Sequence, residues 1–145
     1  MIIEPSRWAV YTNCFFRPIK PLSPDSEGAI ISLWNPLGKV YSVAANRRIT
    51  RFWQGALQRQ QSPHQLLWGG DKHMQYRELS VLLACNLNDA IHWSQRMQQL
   101  AFYFVEDHSI TLFNTQFPSQ HQQLKGTFAE RIGYQRLPKR NQATT

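Results

Sequence analysis

Two runs of the chain are apolar with almost no alternation, Ala29-Ile30-Ile31-Ser32-Leu33-Trp34 and Leu79-Ser80-Val81-Leu82-Leu83-Ala84-Cys85. Such runs predict central strands covered on both faces. Asn35-Pro36 ends the first, because proline cannot donate to a ladder and biases the preceding residue toward an extended backbone. The chain then turns through Leu37-Gly38. Ser42 reads as the N-cap of a helix from about Val43 to Gln60, with Ile49, Phe52, Trp53, Ala56 and Leu57 on one stripe. Arg47, Arg51, Gln54 and Gln58 fall opposite, and Asn46 sits at the margin of the stripe.

Elsewhere the signals are shorter. Trp8 to Tyr11 and Cys14 to Phe16 suggest a short strand or two in a packed N-terminal arm, followed by a proline-rich connection. His64 to Trp68 predicts a strand before the Gly69-Gly70-Asp71 loop. Asn88 is placed to cap a helix over Asp89 to Gln99 with Ala90, Trp93 and Met97 inward, and Phe102–Val105 with Ile110–Phe113 predicts a hairpin. The order strand, helix, strand, strand, helix, strand, plus one strand, predicts an α+β fold. Its expected form is a ferredoxin-like split β-α-β antiparallel sheet (β-α-β-β-α-β) with an added C-terminal hairpin strand. Helices would cover one face, leaving residues 8–17 or the segment after Asn114 to cover the other. One domain is expected over residues 1–137, with a flexible basic, polar tail over 138–145.

Composition narrows the class. A chain of 145 residues with 42% hydrophobic and 12% aromatic content supports one cored domain. No apolar run is long enough to span a bilayer, and Glu4-Pro5 interrupts any signal-peptide core, so a cytoplasmic protein without membrane association is expected. Cys14 and Cys85 form no CxxC pair and read as reduced, packed thiols. The five histidines lack ligand spacing, no glycine-rich phosphate loop opens a helix, and no serine elbow is present, so neither metal nor cofactor is expected. The net charge of +7 concentrates in Arg47, Arg48, Arg51 and Arg59, and in Lys125, Arg131, Arg136, Lys139 and Arg140. Such segments serve either as solvated faces or as phosphate contacts.

The residues Trp34-Asn35-Pro36, Ser42, Asn46-Arg47, Asp71, Tyr76, Glu78, Ser80 and Gln99-Leu100-Ala101 form a spaced pattern over positions 29–113. In it the chain resembles a bacterial family known only as domain of unknown function 3293. Ala45 stands where that family often has an acid, and Tyr76 where it usually has tryptophan. The resemblance implies a small bacterial cytoplasmic protein and carries no activity.

If the two apolar strands are antiparallel neighbours, Trp34-Asn35 lies beside Glu78, at the edge where the first helix opens. Trp34, Asn35, Asn46, Arg47, Asp71, Tyr76 and Glu78 are then the candidate ligand-binding residues, Arg47 pairing an anion and Glu78 accepting from an amine or acting as a base. An Arg47 to Glu78 pair bridged by asparagine would equally well brace the turn without any ligand. The expected function is a non-catalytic binding or regulatory module, with a protein partner or a homodimer open. The alternatives are a small-ligand sensor or enzyme using Asn35, Asn46, Arg47 and Glu78, and weak nucleic-acid binding through the basic helix and tail.

Overall fold

The computed structural model describes residues 2–139. In chain order it comprises helix α1 (Pro5–Thr12), strands β1 (Phe15–Pro18) and β2 (Gly28–Ser32), helix α2 (Val43–Arg59), strands β3 (His64–Gly70) and β4 (Arg77–Leu83), and helix α3 (Leu87–Arg96). Strands β5 (Ala101–Glu106), β6 (Ser109–Asn114) and β7 (His121–Gln123) complete it, with 3-10 turns at Pro36–Gly38 and Ala129–Arg131. Among the described residues, the seven strands form one antiparallel sheet in the order β1-β3-β4-β2-β5-β6-β7, curled into a half-barrel.

This overturns the ferredoxin-like expectation. The sheet continues past the expected strands at both edges: β1, expected in a covering arm, joins it beyond β3, and β7 extends it beyond the added hairpin strand β6. Strand twist accumulating across so wide a sheet brings its edges toward each other. The chain after β7 bridges them: Phe128 N donates to His108 O at 2.8 Å, Gly133 N donates to Phe16 O at 3.0 Å, and Ile132 pairs with Phe16 in a parallel bridge. Arg131 fastens the crossing, its Nη1 donating to the carbonyls of Thr12 (3.0 Å) and Cys14 (3.1 Å). The stretch from Trp8 to Tyr11 is helical instead of extended, because Pro5 at the first helical position presets φ for a helix.

Period-two alternation sorts the sheet into two cores. Ala29, Ile31, Leu33, Val81, Leu83 and Phe102 face α2 and α3, packing with Leu57, Ala90, Trp93 and Met97. Ile30, Leu67, Leu82, Val105, Ile110 and Leu112 face the concave side, where Phe16, Leu124 and Phe128 complete a second core. Trp8 and Tyr11 pack against this core, so α1 and the crossing segment both cover the concave face. The β5–β6 loop is a two-residue turn with positive φ at Asp107 (52°) and His108 (66°), the backbone twist that tight hairpins favour.

Both long helices start on side-chain caps. Ser42 accepts from Ala45 N at 3.1 Å. Asn86, not Asn88, caps α3 by accepting from Asp89 N at 2.8 Å, which places Leu87 at the first helical position. Helix α2 is rotated from the expected stripe: Asn46 and Thr50 are buried with Ala56 and Leu57, while Phe52 is 61% exposed. The cause is polar. The buried Trp34 indole requires an acceptor and finds Thr50 Oγ1 at 3.1 Å, and Thr50 in turn donates to Asn46 O at 2.9 Å. Residues 140–145 of the expected tail lie outside the described residues, whereas Pro138 O accepts from Arg77 Nη1 at 3.2 Å.

Gly28 opens β2 at φ +132°, and an added Cβ would stand 2.1 Å from the Leu83 carbonyl oxygen of the neighbouring strand. Gly28→Ala therefore loses at least about 2 kcal/mol of stability, measured as a shift of the urea midpoint at unchanged slope.

Candidate functional site

The concave row of side chains turns polar toward one end of the sheet. Along β2, Ile30 gives way to Ser32; along β4, Leu82 gives way to Ser80 and Glu78; and along β3, Leu67 gives way to Gly69. Register brings these together, Ser32 pairing with Ser80 and Gly69 with Glu78. Beyond the apolar core the row opens into a cavity of about 790 Å³ between the sheet and α1. Its floor includes Phe16, Ile30, Ala101 and Leu112, its polar end is Ser32, Asn35, Tyr76 and Glu78, and α1 contributes Arg7, Val10 and Tyr11.

Glu78 organises the polar end. Its Oε1 accepts from Ser32 Oγ at 2.8 Å, and its Oε2 accepts from Asn35 Nδ2 at 2.8 Å and from the Tyr76 hydroxyl at 2.5 Å. Asn35 is simultaneously held from α2: Asn46 Oδ1 accepts its backbone N–H at 2.9 Å, and Asn46 Nδ2 donates to Asn35 Oδ1 at 3.0 Å. Asn35 Oδ1 also accepts from Tyr41 N at 2.9 Å, closing the turn on itself. Held in this way, Asn35 adopts a left-handed backbone (φ 52°, ψ 56°) and not the extended one its position before proline predicts. Leu37 (φ 59°) and Gly38 (φ 70°) follow it into positive φ. Three such residues in one turn persist because the surrounding bonds over-determine the backbone. Gln99 Nε2 adds a further tie, donating to Trp34 O at 2.9 Å.

The residues singled out in the sequence divide accordingly. Asn35, Asp71, Tyr76 and Glu78 line the cavity. Asn46 is 2% exposed and acts behind Asn35, bracing it without lining the cavity. Trp34 is buried in the helix-facing core, its ring set edge-on against Trp68 at 5.4 Å. Asp71 is occupied by its own loop, its carboxylate accepting from the backbone of His73, Gln75 and Tyr76 at 2.8–3.1 Å. Arg47 is exposed on α2 and is not part of the cavity lining, so the expected Arg47 to Glu78 bridge is replaced by the neutral donors of Ser32, Asn35 and Tyr76. The helical rotation that buries Asn46 turns its neighbour Arg47 outward.

The guanidinium near the cavity belongs to Arg7, which packs against Gly38, where an added Cβ would lie 2.2 Å from Arg7 Nη1. Arg7, Tyr11, Ser32, Ser80 and Tyr103 were not visible as site residues in the sequence. Ser32 and Ser80 carried a signal, as the lone hydroxyls in two apolar strands. Arg7 and Tyr11 carried none, since their place follows from the helix over residues 5–12 and its docking on the sheet.

Burial pushes the Cys14 thiol up to about 11, and burial likewise pushes Cys85 up to about 11. Tyr103, whose hydroxyl donates to Tyr11 O at 2.7 Å, is held well above its ordinary value by burial. The Tyr76 phenol is raised by burial and by the adjacent Glu78 carboxylate, so it remains the donor of its pair. Among the described residues, no three His, Cys, Asp or Glu side chains cluster as a metal site requires. Comparison with protein-family models, with curated proteins and with solved structures finds no match to this chain.

Two outcomes follow from this geometry. Asn46→Ala leaves the part-buried Asn35 N–H without its acceptor and removes one of the two donors to Asn35 Oδ1, so chemical denaturation shows a loss of about 2 kcal/mol. The thiols ionise later in the folded chain than in the unfolded one, so folded molecules bind more protons above pH 9 and stability falls from about pH 9 toward about 11. Replacing both cysteines by alanine makes stability fall less steeply across that window, measured by urea melts at stepped pH.

Proposed function

We propose that the protein is a non-catalytic binding module that holds an amphipathic small molecule in the concave cavity. The apolar body lies along Phe16, Ile30 and Leu112, and the head, an amine or hydroxyl, meets Glu78 at the polar end. The observation that carries this reading is the cavity itself: about 790 Å³, apolar along its floor and closed at one end by a carboxylate. That size and lining fit a small-molecule site. Glu78 Oε1 accepts one bond from Ser32, leaving a lone pair for a ligand N–H or O–H. Cys14, which also lines the cavity, stays a thiol at neutral pH and is a poor nucleophile in that state.

The proposal extends to the setting. Cytoplasmic residence is supported by the two free cysteines. No helix among the described residues is long and apolar enough to cross a membrane. Membership of the bacterial 3293 family is proposed on the sequence pattern alone; of its residues, Asn35, Asn46, Tyr76, Glu78 and Gln99 build the corner at the polar end of the cavity.

Gly69 lines the cavity, and an added Cβ there would meet only ordinary contacts, the nearest being Ser80 Oγ at 3.5 Å. Gly69→Val therefore narrows the site beside Ser80 and Phe16 while leaving Glu78 in place. Octylamine raises the melting temperature of the wild type with the logarithm of its concentration once above Kd, by an amount equivalent to about 1.4 kcal/mol at tenfold excess over Kd. Octanoate, repelled by Glu78, stabilises less, and Gly69→Val responds more weakly to both. Unchanged melting with both probes, or an equal response in Gly69→Val, would remove the proposal.

A further inference from the structure

The opposite side of the Asn35–Tyr41 turn borders a second depression. It lies between α2 and the end of α3, has a volume of about 390 Å³, and is lined by Tyr41, Arg48, Ile49, Phe52, Trp53 and Met97 among others. Its aromatic surface is open: Phe52 is 61% exposed and Tyr41 39% exposed. Phe52 stands edge-on to Trp53 at 5.0 Å between centroids. An exposed aromatic at the centre of a groove, beside half-buried apolar neighbours, is surface the chain leaves uncovered.

The charge around this groove has one sign. Arg48 and Phe52 are four residues apart on α2 and share a face, and Arg47 and Arg51 are exposed on the same helix. Positions 41–60 contain no acid. From α3 comes Arg96, whose guanidinium lies 4.6 Å from the Trp93 ring centre and 5.8 Å from that of Trp53. Stacking engages the flat faces of a guanidinium and leaves its N–H edge available to pair with carboxylates. Asp89, the acid of α3, sits in the first turn, at the other end of the helix from Arg96.

We infer that this groove docks an acidic amphipathic helix of a partner protein, apolar side chains entering against Ile49, Phe52 and Met97 and carboxylates pairing with Arg48 and Arg96. Helix-in-groove recognition asks for this combination, an apolar trough flanked by charges opposite to those of the ligand. A second copy of this chain fits poorly, because each copy carries a net charge of +7 and would bring like charges together. A nucleic-acid strand fits less well than a peptide. The sheet face on which bases would stack is covered by α1 and the Leu124–Ile132 segment.

The test is fluorescence anisotropy with the full chain and a synthetic peptide of about four helical turns, leucine and tryptophan on one face and glutamate on the other. A lysine-for-glutamate analogue and a labelled oligouridine are run beside it. The glutamate peptide binds, binding weakens as salt rises from about 50 to about 300 mM, and the lysine analogue stays free. Phe52→Glu and Arg48→Glu each weaken binding about tenfold or more, with melting temperatures near that of the wild type because both side chains are exposed. Absence of binding by the glutamate peptide, equal binding by Phe52→Glu, or tighter binding of oligouridine would each overturn the inference.

Discussion

A half-buried carboxylate holding three neutral donors fixes the geometry of this molecule. Glu78 draws Ser32 from the adjacent strand, Asn35 from the turn and Tyr76 from its own loop onto its two oxygens. A charge partly removed from water is stabilised by the hydrogen bonds it accepts, and hydrogen bonds to a charged group are stronger than neutral ones. The arrangement lets Asn35 turn left-handed before a proline. Asn46, reaching across from α2, fills the remaining polar needs of that residue. Strand β2, the turn and α2 are thus set relative to β4 by one connected set of side chains.

That corner separates two surfaces of different character. On the concave side Asn35, Gly38 and Val40 border the cavity; on the helical side Pro36 and Tyr41 border the groove. The concave side could become a cavity because the sheet curls and α1 lies across it, anchored through the Thr12 and Cys14 carbonyls to Arg131. Arg131, which counts in the sequence as part of a basic C-terminal segment, is thus engaged by backbone acceptors and holds the crossing segment to the end of α1.

The central elements were legible because they rest on local chemistry. The two apolar runs, each broken by one serine, the Asn35-Pro36 stop and the Ser42 cap each have a short-range cause, and Glu78 was placed beside Asn35 by antiparallel pairing alone. What was not legible depends on partners distant in sequence. The rotation of α2 follows from Trp34 needing Thr50, the outward turn of Arg47 follows from Asn46 facing in, and the half-barrel follows from β1 and the crossing segment meeting at Phe16 and Ile132. Trp8 and Tyr11 read as strand by composition, yet Pro5 and the docking of Tyr11 beneath Tyr103 make them helical. Ser32 and Ser80 were the overlooked clue: a single hydroxyl in each of two apolar strands, opposed in register, marks where the buried row opens.

The most direct test of the corner is a double-mutant cycle between Asn46 and Glu78, using Asn46→Ala, Glu78→Gln and the double variant with stability from urea denaturation. The two side chains meet at Asn35, which bonds to both. A connected network predicts a coupling of about 1 kcal/mol or more, the second substitution costing much less once the first has released the turn. Additivity within about 0.5 kcal/mol would show that the two residues act independently, and would contradict the view that Glu78 and Asn46 jointly hold the turn that closes the cavity.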